Sequence, residues 1–80
     1  MILEVIKKVE ELKKDEDAKV IAVKPINLHK DDIDRIFAVL VVRNSGQQYA
    51  VWTYNAEYNS TAGGVYTSDK AHALEAFNSK

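Results

Sequence analysis

The sequence predicts an α+β domain with the order α-β-β-β-α: a three-stranded antiparallel meander packed by an N-terminal and a C-terminal helix. Three observations predict it. Apolar residues recur at helical spacing near the N-terminus, two β-rich runs flank Asn44-Ser45-Gly46, and a second helical pattern ends the chain. Eighty residues without cysteine predict a single domain, 1–80, built without disulfides.

The N-terminal helix has a continuous apolar stripe: Ile2, Val5, Ile6, Val9 and Leu12. We expect the helix to end near Lys14, because the acidic run 15–17 would oppose the dipole at a helix C-terminus. A short strand follows at Val20–Val23. Pro25 has no N–H to donate, so it indicates an edge position or a strand end.

The second and third strands are predicted at Ile36–Val42 and Gln48–Tyr54, where β-branched and aromatic residues dominate. The second strand is apolar on both faces and, as the middle strand of a meander, lies in the centre. The two helices could cover opposite sheet faces, or both could cover one face. We favour one face, which predicts that the open face binds a protein partner or a second copy in a homodimer.

The hairpin turn allows two registers. A loop of Ser45-Gly46 pairs Val42 with Tyr49, whereas a three-residue loop with left-handed Gly46 pairs Val41 with Tyr49. We favour the second register, because Asn-Ser-Gly fits a type I turn closed by a glycine bulge. The choice decides the face of Trp52, since a shift of one residue moves every side chain to the opposite face.

The C-terminal part begins with a polar segment, Asn55–Gly64, which we interpret as a loop. Val65-Tyr66 can add a short pairing. Ser68 is the expected N-cap of the second helix, with Asp69 in its first turn. Its expected buried stripe is Ala71, Leu74 and Phe77.

Aromatic residues and charge are distributed unevenly. Between Gly46 and Ser68, Glu57 is the one charged residue, yet this span holds five of the seven aromatic residues. Tyrosine and tryptophan mixed with Asn, Ser and Gly are typical of binding loops, and interface centres exclude charge. The function hypothesis is therefore a non-enzymatic protein-binding module using the sheet face and the 55–64 loop. Its candidate partner-binding residues are Tyr49, Trp52, Tyr54, Asn55, Tyr58, Asn59 and Tyr66.

An alternative function is binding of single-stranded nucleic acid or carbohydrate, with bases or sugar rings stacked on Trp52 and Tyr54. The neighbouring strands offer few cations for a phosphate backbone, namely Lys24, Arg35 and Arg43. The net charge of −1 gives no general attraction to nucleic acid. We therefore do not expect nucleic-acid binding.

The sequence favours neither catalysis nor metal binding. The cluster at 29–34 places His29 near aspartates, but a calcium loop's glycine and terminal glutamate are missing, so we interpret it as a solvated turn. His72 and Glu75 are one helical turn apart and are interpreted as surface residues. Without cysteine or a nucleophile beside a base, we expect no enzyme, cofactor or metal.

No secretory signal or membrane span is apparent in the sequence. Glu4, Lys7 and Lys8 follow the first apolar residues at once, and no run reaches the roughly 18 apolar residues of a span. We therefore expect a cytoplasmic location without a membrane partner.

The segment Tyr49–Phe77 contains an aromatic strand ending Trp-x-Tyr-Asn, a polar insert, Gly-Gly-x-Tyr, and a capped helix with Ala and Phe. It resembles a pattern in small uncharacterised proteins of Gram-positive bacteria and their mobile elements. The resemblance implies a bacterial or phage origin and carries no assigned activity.

Overall fold

A computed structural model describes residues 2–26 and 35–80 of the chain. Its elements, in order, are α1 (Ile2–Leu12), a 3₁₀ turn (Lys14–Glu16), β1 (Lys19–Pro25), β2 (Ile36–Arg43), β3 (Gln48–Asn55), β4 (Ser60–Thr67) and α2 (Lys70–Asn78). The four strands form one antiparallel meander in the order β1-β2-β3-β4. The predicted α+β class is confirmed.

The predicted number of strands is wrong, because much of the presumed loop Asn55–Gly64 is strand. The connection after β3 is a short turn, and β4 then pairs with β3 from Asn55↔Ser60 to Tyr49↔Thr67. The register shifts between Trp52↔Gly64 and Thr53↔Ala62, so Gly63 is an extra residue in a β-bulge. Glycine in this strand marks a bulge and not a loop.

The favoured hairpin register is also wrong. Val42 pairs with Tyr49 and Arg43 with Gln48, as in the other register. The turn reaches this pairing through three successive residues with positive φ, Asn44 (54°), Ser45 (58°) and Gly46 (90°). Positive φ at the first two turn residues matches the twist of a hairpin better than a type I turn does.

The sheet is covered on both faces, so the expectation of two helices on one face is wrong. Val5 and Val9 of α1 are buried with Phe37, Val39, Val41, Ala50, Trp52 and Tyr54, here called the α1-side cluster. Ala73 and Phe77 of α2 are buried with Ala38, Leu40 and Val51, the α2-side cluster. Full burial stabilises each large apolar side chain by about 1.5–3 kcal/mol. Both faces of β2, which is apolar from Ile36 to Val42, are therefore covered within one chain.

The helix ends differ slightly from the prediction. α1 stops at Leu12, and Glu10 Oε2 then accepts a hydrogen bond from the Val20 amide (2.9 Å), which ties the helix to β1. In α2 the N-cap is Asp69, whose carboxylate accepts from the Ala71 amide at 2.9 Å, and not Ser68. The buried residues of α2 are Ala73 and Phe77, while the predicted Ala71 and Leu74 are exposed.

Candidate functional site

The predicted aromatic binding residues on β3 pack in or against the core. Trp52 and Tyr54 are 2% and 3% exposed in the α1-side cluster. Tyr49 lies half-buried against the α2-side cluster. Because Trp52 and Tyr54 are covered, neither can stack a base or sugar ring, so the alternative function loses its predicted platform.

Tyr66 remains at the surface and lies against the edge of this core. It is 52% exposed, and its hydroxyl accepts a hydrogen bond from Trp52 Nε1 at 3.0 Å. The two rings meet edge to face, with centroids 6.4 Å apart and planes at 67°. Tyr66 is therefore an exposed aromatic side chain with a fixed position.

A small group of charged side chains surrounds this ring pair. The Arg43 guanidinium lies 5.1 Å from the Tyr66 ring centroid, and its Nη2 is 2.8 Å from Glu16 Oε1. Lys13 Nζ lies 5.1 Å from the Trp52 ring centroid. Buried Arg43 Nε has no hydrogen-bond partner among the described residues. Stacking and the ion pair hold Arg43 in place beside Tyr66.

The turn between β3 and β4 is held by hydrogen bonds. Asn55 Oδ1 accepts from the amides of Glu57 (2.9 Å) and Tyr58 (3.3 Å). The Arg35 carbonyl accepts from the Ala56 amide at 2.7 Å, and the Arg35 side chain pairs with Glu57 at 3.1 Å. Tyr58 projects from this turn with 73% of its surface exposed.

Tyr54 and Asn59 link the turn to the core. The Tyr54 hydroxyl donates to Asn59 Oδ1 at 2.7 Å, and Asn59 has a φ of 50°. Burial raises the pKa of Tyr54 above its ordinary value. This shift is explained by packing and gives no indication of acid–base chemistry.

The outer strand β4 is the most distinctive exposed feature. It has no charged side chain, and most of its residues are exposed. We define the β4 edge surface as Ser60–Thr67 together with Tyr58. An edge strand offers unpaired N–H and C=O groups to another strand. Of the predicted residues, the structure brings Tyr58, Asn59 and Tyr66 to this edge.

The opposite edge differs in composition. β1 carries Lys19 and Lys24, ends at Pro25, and has a register shift between Val20 and Ala22 that leaves Ile21 in a bulge. Lysine, proline and bulges are the usual means by which edge strands avoid pairing. β4 shares the bulge but has neither charge nor proline.

Sequence reasoning found a possible pairing at Val65-Tyr66, which the structure contains, but missed the rest of β4. The signal was its content of β-formers, since four residues favour strands: Thr61, Val65, Tyr66 and Thr67. The glycine pair between them concealed this signal, because Gly-Gly is also typical of loops.

A groove of about 540 Å³ lies at the C-terminal end of α2. Its lining is mostly apolar: Ile26, Thr53, Val65, Ala76, Ser79 and Lys80. Lys80 Nζ is 3.3 Å from Thr53 Oγ1. Among the described residues of this lining, Lys80 is the one titratable side chain, so they offer no pair of groups for acid–base chemistry.

The described residues contain no group of three or more His, Cys, Asp or Glu side chains that could hold a metal ion. The predicted solvated turn at 29–34 lies outside the described residues. His72 and Glu75 lie on α2, and both are exposed as predicted.

Comparison with known proteins gives no relative: no protein-family model, curated protein or solved structure matches this chain. Within residues 2–26 and 35–80, none of the helices has the length and apolar character needed to cross a membrane.

Proposed function

We propose that this chain is a non-enzymatic protein-binding module that contacts its partner through the β4 edge surface. The observation that carries the proposal is the exposed, uncharged edge strand, which carries the exposed Tyr66 and follows the exposed Tyr58. The interface differs from the one expected from sequence, because the helices occupy both sheet faces.

Binding at this edge has a simple mechanism. A partner strand would pair with the free backbone groups of β4, which provides affinity independent of side chains. Tyr58 and Tyr66 would supply contact area on rigid side chains with few rotatable bonds. The absence of charge in β4 removes the cost of desolvating ionised groups at the centre of the contact.

The contrast between the two edges supports this assignment. β1 combines two lysines with a terminal proline, whereas β4 leaves its backbone without either protection. An edge strand without charge or proline is more prone to aggregation, which is tolerable where a specific partner covers it.

The test is capture of binding proteins on the immobilised chain, with charge placed on each edge in turn. Ala62→Lys puts a charge on exposed β4, and Ile21→Lys puts the same charge on the exposed bulge of β1. Wild type and Ile21→Lys should capture the same protein, while Ala62→Lys should lose it. Equal capture by all three chains would contradict the proposal.

A second pair of variants tests the tyrosine contribution. Tyr58→Ala removes an exposed ring from the β4 edge surface, and Leu3→Ala removes an exposed apolar side chain from α1. Neither change opens the core. Tyr58→Ala should weaken binding about tenfold or more, whereas Leu3→Ala should not weaken it.

A further inference from the structure

The Gly63 bulge divides β4 into two segments, and the alternation of side chains between the two sheet faces shifts by one residue from the first segment to the second. In the first segment Thr61 pairs with Tyr54 and shares its face, the α1 side, while Ser60 and Ala62 lie on the α2 side. In the second segment Gly64 and Tyr66 lie on the α1 side, opposite Trp52 and Ala50. Val65 and Thr67 lie on the α2 side, opposite Val51 and Tyr49.

This phase change determines how a strand can pair along the whole edge. Residues that face each other across an antiparallel pair project to the same face. A regular partner strand alternates faces without interruption. It can match both segments only if Gly63 is left without an opposite residue, which is how β3 pairs with the other edge of β4.

A second copy of the chain has the same bulge, so it can also place a residue opposite Gly63. Two β4 strands can pair antiparallel with Gly63 of each copy opposite Gly64 of the other. Residues 60–62 of each copy then lie opposite residues 65–67 of the other copy. The opposed residues then share a face: Thr61 with Tyr66 on the α1 side, and Ala62 with Val65 and Ser60 with Thr67 on the α2 side.

The opposed side chains also match chemically. Ala62 and Val65 are both apolar, Ser60 and Thr67 both carry short hydroxyl groups, and the two glycines meet at the two-fold axis. No charged residue of β4 faces its own copy, so like-charge repulsion along the strand is absent. A two-fold interface requires such self-complementarity.

We infer that the partner of the β4 edge surface is a second copy of this chain, paired β4 to β4 about a two-fold axis with Gly63 opposite Gly64. This inference rests on the proposed function and specifies its partner. Pairing joins the two sheets into one continuous eight-stranded sheet, with the α1 helices on one face and the α2 helices on the other.

The first test is the molecular mass by sedimentation equilibrium over a wide concentration range. The mass of wild type and Ile21→Lys should rise from 9.0 kDa toward twice that value. Ala62→Lys should need a concentration about tenfold higher or more to reach the same dimer fraction, since charge opposes edge pairing. Circular dichroism of the three chains controls for folding.

The second test fixes the register with cysteines, which the natural chain lacks. Residues opposed in an antiparallel pair have Cα atoms about 4.5–5.5 Å apart, within disulfide range. A mixture of Ala62→Cys and Val65→Cys chains should form the mixed disulfide on mild oxidation. Either variant alone should crosslink far less, because its two cysteines are about three residues out of register.

Each outcome separates this inference from the proposed function. A wild-type chain that stays at 9.0 kDa, or an Ala62→Cys chain that crosslinks to itself as readily as to Val65→Cys, overturns the second copy as partner. If a different protein is then captured through β4, the proposed function stands. If Ala62→Lys changes neither mass nor capture, both fail.

Discussion

At the residue scale, the backbone conformation and the close neighbours of position 64 require glycine. Its φ is +154°, and an added Cβ would overlap the Val51 carbonyl oxygen and lie 3.1 Å from Trp52 Cδ1. Gly64→Ala should therefore lower the free energy of unfolding by about 3 kcal/mol, measured by urea denaturation.

Neighbouring Gly63 is the matched control. Its φ is +34°, and an added Cβ would have no atom within 4 Å. Gly63→Ala should cost about 1 kcal/mol, the penalty of a left-handed backbone alone. Equal costs at the two glycines would show that the bulge does not have this geometry.

The Tyr54 hydroxyl allows a second prediction at this scale. Tyr54→Phe removes its hydrogen bond to Asn59 and should lower the free energy of unfolding by about 1 kcal/mol at neutral pH. Asn59 is exposed, so its amide can bind water instead. Tyr58→Phe, at an exposed ring, should change stability by less than about 0.5 kcal/mol.

The same hydroxyl gives a pH dependence. Burial raises the pKa of Tyr54 above its ordinary value of 10.0, so below pH 10.0 the residue is protonated in both states. As pH rises past that value, the unfolded state ionises first, and the free energy of unfolding falls through the folded pKa. This fall should be shallower in Tyr54→Phe than in wild type. Parallel curves for wild type and Tyr54→Phe would contradict the assignment.

At the element scale, the start of α2 depends on Asp69. Its carboxylate accepts from the Ala71 amide, and its own amide donates to Thr67 Oγ1 at 3.0 Å. Asp69→Ala should cost about 1 kcal/mol in thermal or urea unfolding. Ser68→Ala should be close to neutral. The reverse order of effects would restore Ser68 as the cap.

The elements also show how far local sequence determines structure. The hairpin strands were predicted within one residue of their observed ends, because β-branched and aromatic runs have a strong local signal. The hairpin register was predicted wrongly, because Asn-Ser-Gly fits more than one type of turn. The choice between the registers depends on the packing of Trp52 beneath α1. Most of β4 was missed because its stability comes from pairing with β3 and not from its own glycine-containing sequence.

At the scale of the whole molecule, the apolar character of both β2 faces was evident from the sequence, but the covering of each face by a different helix was not. Two helices that bury few residues each could cover one face or two, and their own stripes do not decide which. The observed arrangement places Val5 and Val9 on one side and Ala73 and Phe77 on the other. The contact surface that we propose is therefore the β4 edge and not a sheet face.

The central claim is that two copies of the chain pair through β4. Amide hydrogen exchange of the wild-type chain at low and high protein concentration tests it most directly. Outward-facing amides of β4 should exchange more slowly as concentration rises, because they donate to the second copy, while amides of β1 keep the same rates. Unchanged exchange in β4, or slowing confined to β1 or to either helix, would contradict the account.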